Sequence, residues 1–216
     1  MSPQEHHARI VNNWVLVHNQ STNFDMDKDR YGVDVDYFIG FVYIDSQAGM
    51  TIDMLSYCTV DGNTITMTKG PRDDNSSMKV RYTGNFMEQL KCTILSDEQR
   101  NTLSLPVEPD WLHFYHVEGQ EEIERIRKLE LLHPLRAPGF PDDIRFALIP
   151  MKQGMQVEQV WGKIMANPQE NIFIVRLLNQ PNQDFNGIKM GDFLAVEVKA
   201  VEQGLSSVCI GKVDVK

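Results

Sequence analysis

Apolar and polar residues alternate with a period of two over most of the chain, and a helical period interrupts the alternation only once. Segments 10–18 (IVNNWVLVH), 36–45 (DYFIGFVYID) and 50–60 (MTIDMLSYCTV) are short, β-branched and aromatic, which suits strands. Asp61-Gly62 joins the third of these to 63–69 (NTITMTK) as a two-residue hairpin signal. In that strand Ile65 and Met67 point one way and Thr64, Thr66 and Thr68 the other, which gives one dry face and one wet face. Segments 78–84, 88–95, 101–107 and 110–118 continue the series. About eight strands are therefore expected in an antiparallel meander, closed or nearly closed into a barrel, because closure removes exposed edges.

The period changes at 119–133, where Ile123, Ile126 and Leu129 recur at a spacing of three. Glu121 to Arg125 and Glu124 to Lys128 are i,i+4 pairs in the favourable order, and His133-Pro134 ends the helix. Segment 134–143 (PLRAPGFPDD), with three prolines and a glycine, reads as a linker. Strand patterns return at 144–150, 157–166, 171–179, 192–201 and 206–215, enough for a small five-stranded barrel or curled sheet. The expected fold is mainly β. It has a β domain over residues 1–118, one bridging helix and a linker over 119–143, and a small β domain over 144–216.

Within the last domain, Trp161 follows "VEQV", a second strand runs into Leu178-Asn179-Gln180-Pro181, and "IKMGD" at 188–192 opens a further strand. This order of features resembles an uncharacterised bacterial domain, the domain-of-unknown-function family numbered 2314, over roughly residues 144–203. Members usually place a small residue or Asn before the Pro, where this chain has Gln180, and the loop "NQDFNG" is longer and wetter here. The resemblance implies no established activity. The first domain, with Trp14 in its first strand and a "YCTVDGNTITM" hairpin, is similar to small lipocalin-like bacterial domains. That likeness implies a barrel whose interior is either core or cavity.

Charge narrows the function. The net charge of −9 is uneven: residues 1–118 carry 9 Lys/Arg against 17 Asp/Glu, and residues 119–216 carry 12 against 13. A phosphate backbone would be repelled by the first part, so neither nucleic acid nor an anionic membrane is expected as a partner, whereas a basic protein is allowed. No run of eighteen apolar residues is present, and the N-terminus lacks a basic segment followed by a long apolar one. A cytoplasmic location is the expectation. Cys58, Cys92 and Cys209 are odd in number and widely spaced, without a CxxC, as buried free thiols would be.

The candidate chemistry is sparse. Asp25, Asp27, Asp29 and Asp36 fall at positions 1, 3, 5 and 12 of a calcium-type loop. Arg30 replaces the glycine needed for its sharp turn, and an Asp stands where the bidentate Glu belongs. With Asp34, these residues read instead as an acidic contact surface. His113 and His116 on a strand would face opposite ways, which is wrong for a shared metal. No nucleophile elbow, zinc-protease motif, phosphate loop or dinucleotide fingerprint occurs. No catalytic residue, cofactor or metal is expected. In the loop after Leu178, Pro181 cannot pair in a ladder, Asn186-Gly187 supplies positive φ, and Asp192 can accept backbone N–H groups. These are turn duties, with binding by Asn179, Gln180, Asn182 and Asp184 as the second reading. The expected function is a non-catalytic binding protein, of the kind that bacterial immunity proteins are toward a basic partner. A carrier or sensor of a small apolar ligand inside the first barrel is the alternative, and an enzyme of unrecognised type the third.

Overall fold

The structure, a computed structural model, describes residues 9–19, 28–74, 76–81, 90–116, 119–202 and 204–214. The fold is mainly β and divides into two compact units, residues 1–116 and 117–216. No helix among the described residues is long and apolar enough to cross a membrane.

The first unit is built on a sheet of β1 (Asn13–Asn19), β2 (Tyr37–Asp45), β3 (Gly49–Asp61), β4 (Thr64–Met67), β5 (Met78–Arg81) and β6 (Leu90–Ile94). Its order is β4-β3-β2-β1-β6, and β5 also pairs with β3. The long β3 serves two partners: Thr51–Met54 pair with β5 and Cys58–Asp61 with β4. The expected hairpin is present, with Gly62-Asn63 between the paired Asp61 and Thr64, and Gly62 at φ 58. A bulge interrupts the β2–β3 ladder, because Ile39 pairs with Ser56 and Gly40 with Met54, leaving Leu55 unpaired. Gly40 is required there, since a Cβ would lie 2.5 Å from Ile52 Cγ2 and 2.9 Å from the Asp53 carbonyl oxygen.

Both faces of this sheet are covered. One buries Val15, Val17, Phe38, Val42, Ile52 and Tyr57; the other buries Trp14, Ile39, Phe41, Tyr43 and Cys58. The cover on the second face comes from segments expected as strands seven and eight. Residues 97–102 form helix α2, and Asp110–Tyr115 form a 3-10 turn, so six strands stand in this sheet among the described residues. (A single turn at Lys28–Tyr31 is α1.) The aromatic residues that suggested a strand at 110–118 instead lay Trp111 and Tyr115 onto the sheet. Trp111 meets Phe41 and Tyr43 edge-on, with ring centroids 6.1 and 5.0 Å apart. Aromatic β preference reflects packing on a pleated surface, and a turn lying across that surface satisfies it as well.

The second unit is a closed five-strand barrel with a short extra strand. After β7 (Arg136–Ala137) come β8 (Phe140–Leu148), β9 (Glu158–Gln169), β10 (Ile172–Leu177), β11 (Phe193–Val201) and β12 (Gly204–Lys212). An up-and-down meander with an odd number of strands brings its first and last together in parallel. Here Val208 of β12 pairs in parallel with Ala147 of β8. Inside lie Ile144, Phe146, Val160, Phe173, Val175 and Val196. Gly162 leaves the room Phe146 occupies, since a Cβ there would come 2.8 Å from Phe146 Cε1.

Residues 119–143, read from the sequence as a bridging helix and a linker, cluster with this unit. Helix α3 (Gln120–Arg127) buries Ile123 and Ile126 in the barrel's core, and Leu132 and Leu135 follow them. Pro138-Gly139 is the tight turn between paired Ala137 and Phe140, with Gly139 at φ 74. Proline and glycine mark a turn inside a unit as readily as a linker between units.

Candidate functional site

Strands β8, β10 and β12 all run toward one end of the barrel. Loops 149–157 and 178–192 and the exit of β12 therefore meet there. Between them lies a cleft of about 220 Å³. Its floor is Leu148, Phe185 and the half-buried Ile188 and Met155. Its rim is unusual: Met151 is 88% exposed, Ile210 55% and Ile149 51%.

Each rim residue has a local cause. Ala195 pairs with Gly211 and Val196 with Cys209, so Ile210 is the extra residue of a β-bulge. The bulge takes it out of the alternation and turns it toward the cleft, a common use of bulges beside binding sites. Ile149-Pro150-Met151 leaves β8 at a proline that cannot continue the ladder. Asn186 Nδ2 lies 3.3 Å from Met151 Sδ, a weak contact that steadies the thioether.

The polar residues of loop 178–192 serve as scaffold. Asn179 Oδ1 accepts from Trp161 N at 2.7 Å. Gln180 Oε1 accepts from Met190 N at 3.1 Å. Asn182 donates both its backbone N–H and its amide to Glu158, each at 2.8 Å. Gln183 exchanges two hydrogen bonds with the Gln156 backbone. Asp184 Oδ1 accepts from Gly187 N at 2.8 Å, and its other oxygen pairs with Lys152 at 3.4 Å. These contacts, the backbone one first, hold the Asp184 carboxyl below its usual pKa. Asp192 is lowered likewise, by Lys212 at 2.8 Å and then by the Lys189 N–H. Of the four residues read as binding groups in this loop, only Asp184 lines the cleft. Asn179, Gln180 and Asn182 fix the loop's course. The exposed rim of the cleft is largely apolar, and the run Leu148-Ile149-Pro150-Met151 was its sequence signal.

The acidic segment of the first unit is described only from residue 28 on. Asp25 and Asp27 lie outside the described residues. Asp29, Asp34 and Asp36 are exposed along residues 29–36. Arg30, at the position where a calcium loop needs glycine, pairs with Asp74 at 3.3 Å. Among the described residues no group of three or more His, Cys, Asp or Glu side chains is placed to hold a metal ion. His113 and His116 sit on and just after the 3-10 turn.

Burial pushes Cys58 and Cys92 up to about 12 and raises half-buried Cys209, so all three favour the unreactive thiol. Lys79 Nζ donates to Tyr115 Oη at 2.6 Å and holds that phenol below its usual pKa. The neighbouring Tyr43 is pushed up by burial. No family model matches the chain, and neither a curated protein nor a solved structure does.

Proposed function

We propose that this is a non-catalytic binding protein whose barrel-mouth cleft receives an apolar side chain presented by a partner protein. The observation that carries the reading is the cleft itself, with Ile149, Met151 and Ile210 held in solvent above a buried floor. Covering a side chain of this size stabilises by about 1.5–3 kcal/mol, so three of them with a guest residue can anchor an interface. The volume of about 220 Å³ falls below the ~300–1,000 Å³ of small-molecule pockets and suits one side chain better than a whole ligand. The Lys152–Asp184 and Lys212–Asp192 pairs flank the cleft without giving it a net charge. The chain's charge of −9, with Asp29, Asp34 and Asp36 exposed, favours a basic partner and faster encounter with it, as in neutralising immunity-type pairs. A small apolar ligand carried inside the first unit has less support, because side chains of the unit's own core occupy both faces of its sheet.

Capture from native lysate followed by substitution tests the reading. A basic protein retained by the wild type should be lost with Met151→Ser and Ile210→Glu. It should be kept with Val201→Glu, which changes an exposed apolar residue that does not line the cleft. Retention by all three variants would remove the cleft from the binding reaction.

A further inference from the structure

The first unit carries a second concavity, which the barrel-mouth reading does not use. It is an open groove of about 440 Å³, within the range of small-molecule pockets. Trp14, Trp111, Pro106 and Pro109 form its walls, and Phe114, 77% exposed, stands at its edge. The walls are set in advance. Trp14 Nε1 donates to the Pro106 carbonyl at 2.8 Å and pins the covering segment to β1. Trp111 is wedged edge-on against Phe41 and Tyr43. Phe114 packs on the His113 ring at 3.9 Å between centroids, and His113 Nδ1 contacts the Asp110 carbonyl oxygen. A groove already built loses little entropy when it is filled.

Two opposite charges line the same groove and do not neutralise each other. Arg72 and Asp110 are both exposed, and neither makes an ion pair with any described residue. Arg72 also pulls on the carboxylate of Asp53, which is buried, with Oδ1 making no hydrogen bond. A groove with apolar walls that also presents a guanidinium and a carboxylate is the complement of a zwitterion with a flat apolar side chain.

We infer that the groove binds a free aromatic α-amino acid, with its carboxylate on Arg72, its ammonium on Asp110 and its ring between Trp111 and Phe114. A guanidinium meets a carboxylate in a two-pronged contact, and aromatic rings pack offset or edge-on against indole and phenyl faces. A ligand lacking either charge leaves its partner side chain without a counter-ion, and one lacking the ring leaves Phe114 in water.

Tryptophan fluorescence reads this directly, since Trp14 and Trp111 line the groove. The full chain carrying Trp161→Phe removes the third tryptophan, and phenylalanine serves as the probe. Phenylalanine should give a saturable change. N-acetylphenylalanine and phenylalanine amide, each missing one charge-assisted contact, and alanine, missing the ring, should each bind about 10-fold more weakly or worse. The decisive pattern is crossed. Arg72→Gln should weaken phenylalanine and its N-acetyl derivative but leave the amide unchanged. Asp110→Asn should weaken phenylalanine and the amide but leave the N-acetyl derivative unchanged. Both side chains are exposed, and because Arg72 also acts on buried Asp53, each variant is first shown to unfold at the wild-type urea midpoint. No saturable change up to the solubility of phenylalanine overturns the inference, as does equal binding of phenylalanine and its amide or absence of the crossed pattern.

Discussion

Asp53 stands opposite Phe41 on one side and Lys79 on the other, in the middle of β3. It is only 9% exposed. Burial raises its carboxyl pKa, against the pull of Arg72 and Lys79. A raised folded pKa means the folded chain holds the proton more tightly than the unfolded one. The stability this group contributes is complete below the ordinary carboxyl value of 3.8 and is lost as pH rises through the folded pKa. Asp53→Asn cannot titrate. The wild type should therefore lose stability relative to Asp53→Asn as pH climbs from acid toward neutral, seen as diverging urea midpoints. Asp184 and Asp192, whose lowered pKa values act in the opposite sense, cancel in that comparison because both proteins carry them. A constant gap between the two proteins across this range would show that Asp53 is not strained by ionisation. Nothing in "MTIDML" marks this aspartate as enclosed. On an alternating strand it reads as a wet-face residue, yet its cross-strand neighbour Phe41 lies against Trp111 from a segment distant in the chain.

At the scale of elements, most strands stood where the alternation placed them, because each carries its own period and turn residues. The helical cover over the first sheet did not show in the same way. Ser96-Asp97-Glu98-Gln99 is a capping box: Gln99 N donates to Ser96 Oγ at 3.2 Å and Ser96 N to Gln99 Oε1 at 2.9 Å. That signal starts α2 and was overshadowed by the apolar run that follows it. The Ile210 bulge leaves no sequence signal, since whether one residue of a strand is extra depends on its partner strand. The attachment of α3 was equally hidden. Arg136, in a segment that reads as linker, donates from Nη1 to the Arg127 carbonyl at 2.6 Å and from Nη2 to the Ile126 carbonyl at 2.7 Å. It thereby gives the Arg127 carbonyl a donor at the helix end and adds a second donor to the Ile126 carbonyl, which also accepts from Leu129 N at 3.0 Å. Burial lowers its pKa to about 10, so it stays charged at neutral pH. Arg127 in turn holds Asp142 of β8 by two bonds of 2.8 and 2.7 Å. Arg136→Met should cost about 1–3 kcal/mol in denaturant unfolding, since the Arg127 carbonyl loses its side-chain donor and the Ile126 carbonyl loses one of two. Arg136→Lys should restore little of it, because an ammonium cannot span two carbonyls as the planar fork does. Wild-type stability in the lysine variant would reduce this contact to a simple charge effect.

For the whole molecule, the sequence placed one large composition change near residue 118 and one Pro-rich stretch at 134–143, and the two suggest different places to cut the chain. The structure puts the division between His116 and Val117. A break at Pro138 would separate β8 from α3, whose Ile123 and Ile126 lie in the barrel's core, and from Arg136 that fastens the helix. It would also cut the turn between β7 and β8. The fragment 117–216 carries a complete barrel with its core and its helix. Fragment 140–216 keeps all five closing strands but opens the places occupied by Ile123, Ile126, Leu132 and Leu135. Each lost side chain of this size removes about 1.5–3 kcal/mol of burial, and domains of this length are stable by only about 5–15 kcal/mol. Fragment 117–216 should then unfold in one cooperative transition, followed by circular dichroism against urea. Fragment 140–216 should unfold at much lower urea or show no transition. The barrel-mouth cleft, formed by residues 148–212, should keep its partner in the longer fragment and lose it with the fold in the shorter one. Equal cooperativity in the two fragments would return residues 119–139 to the role of a tether.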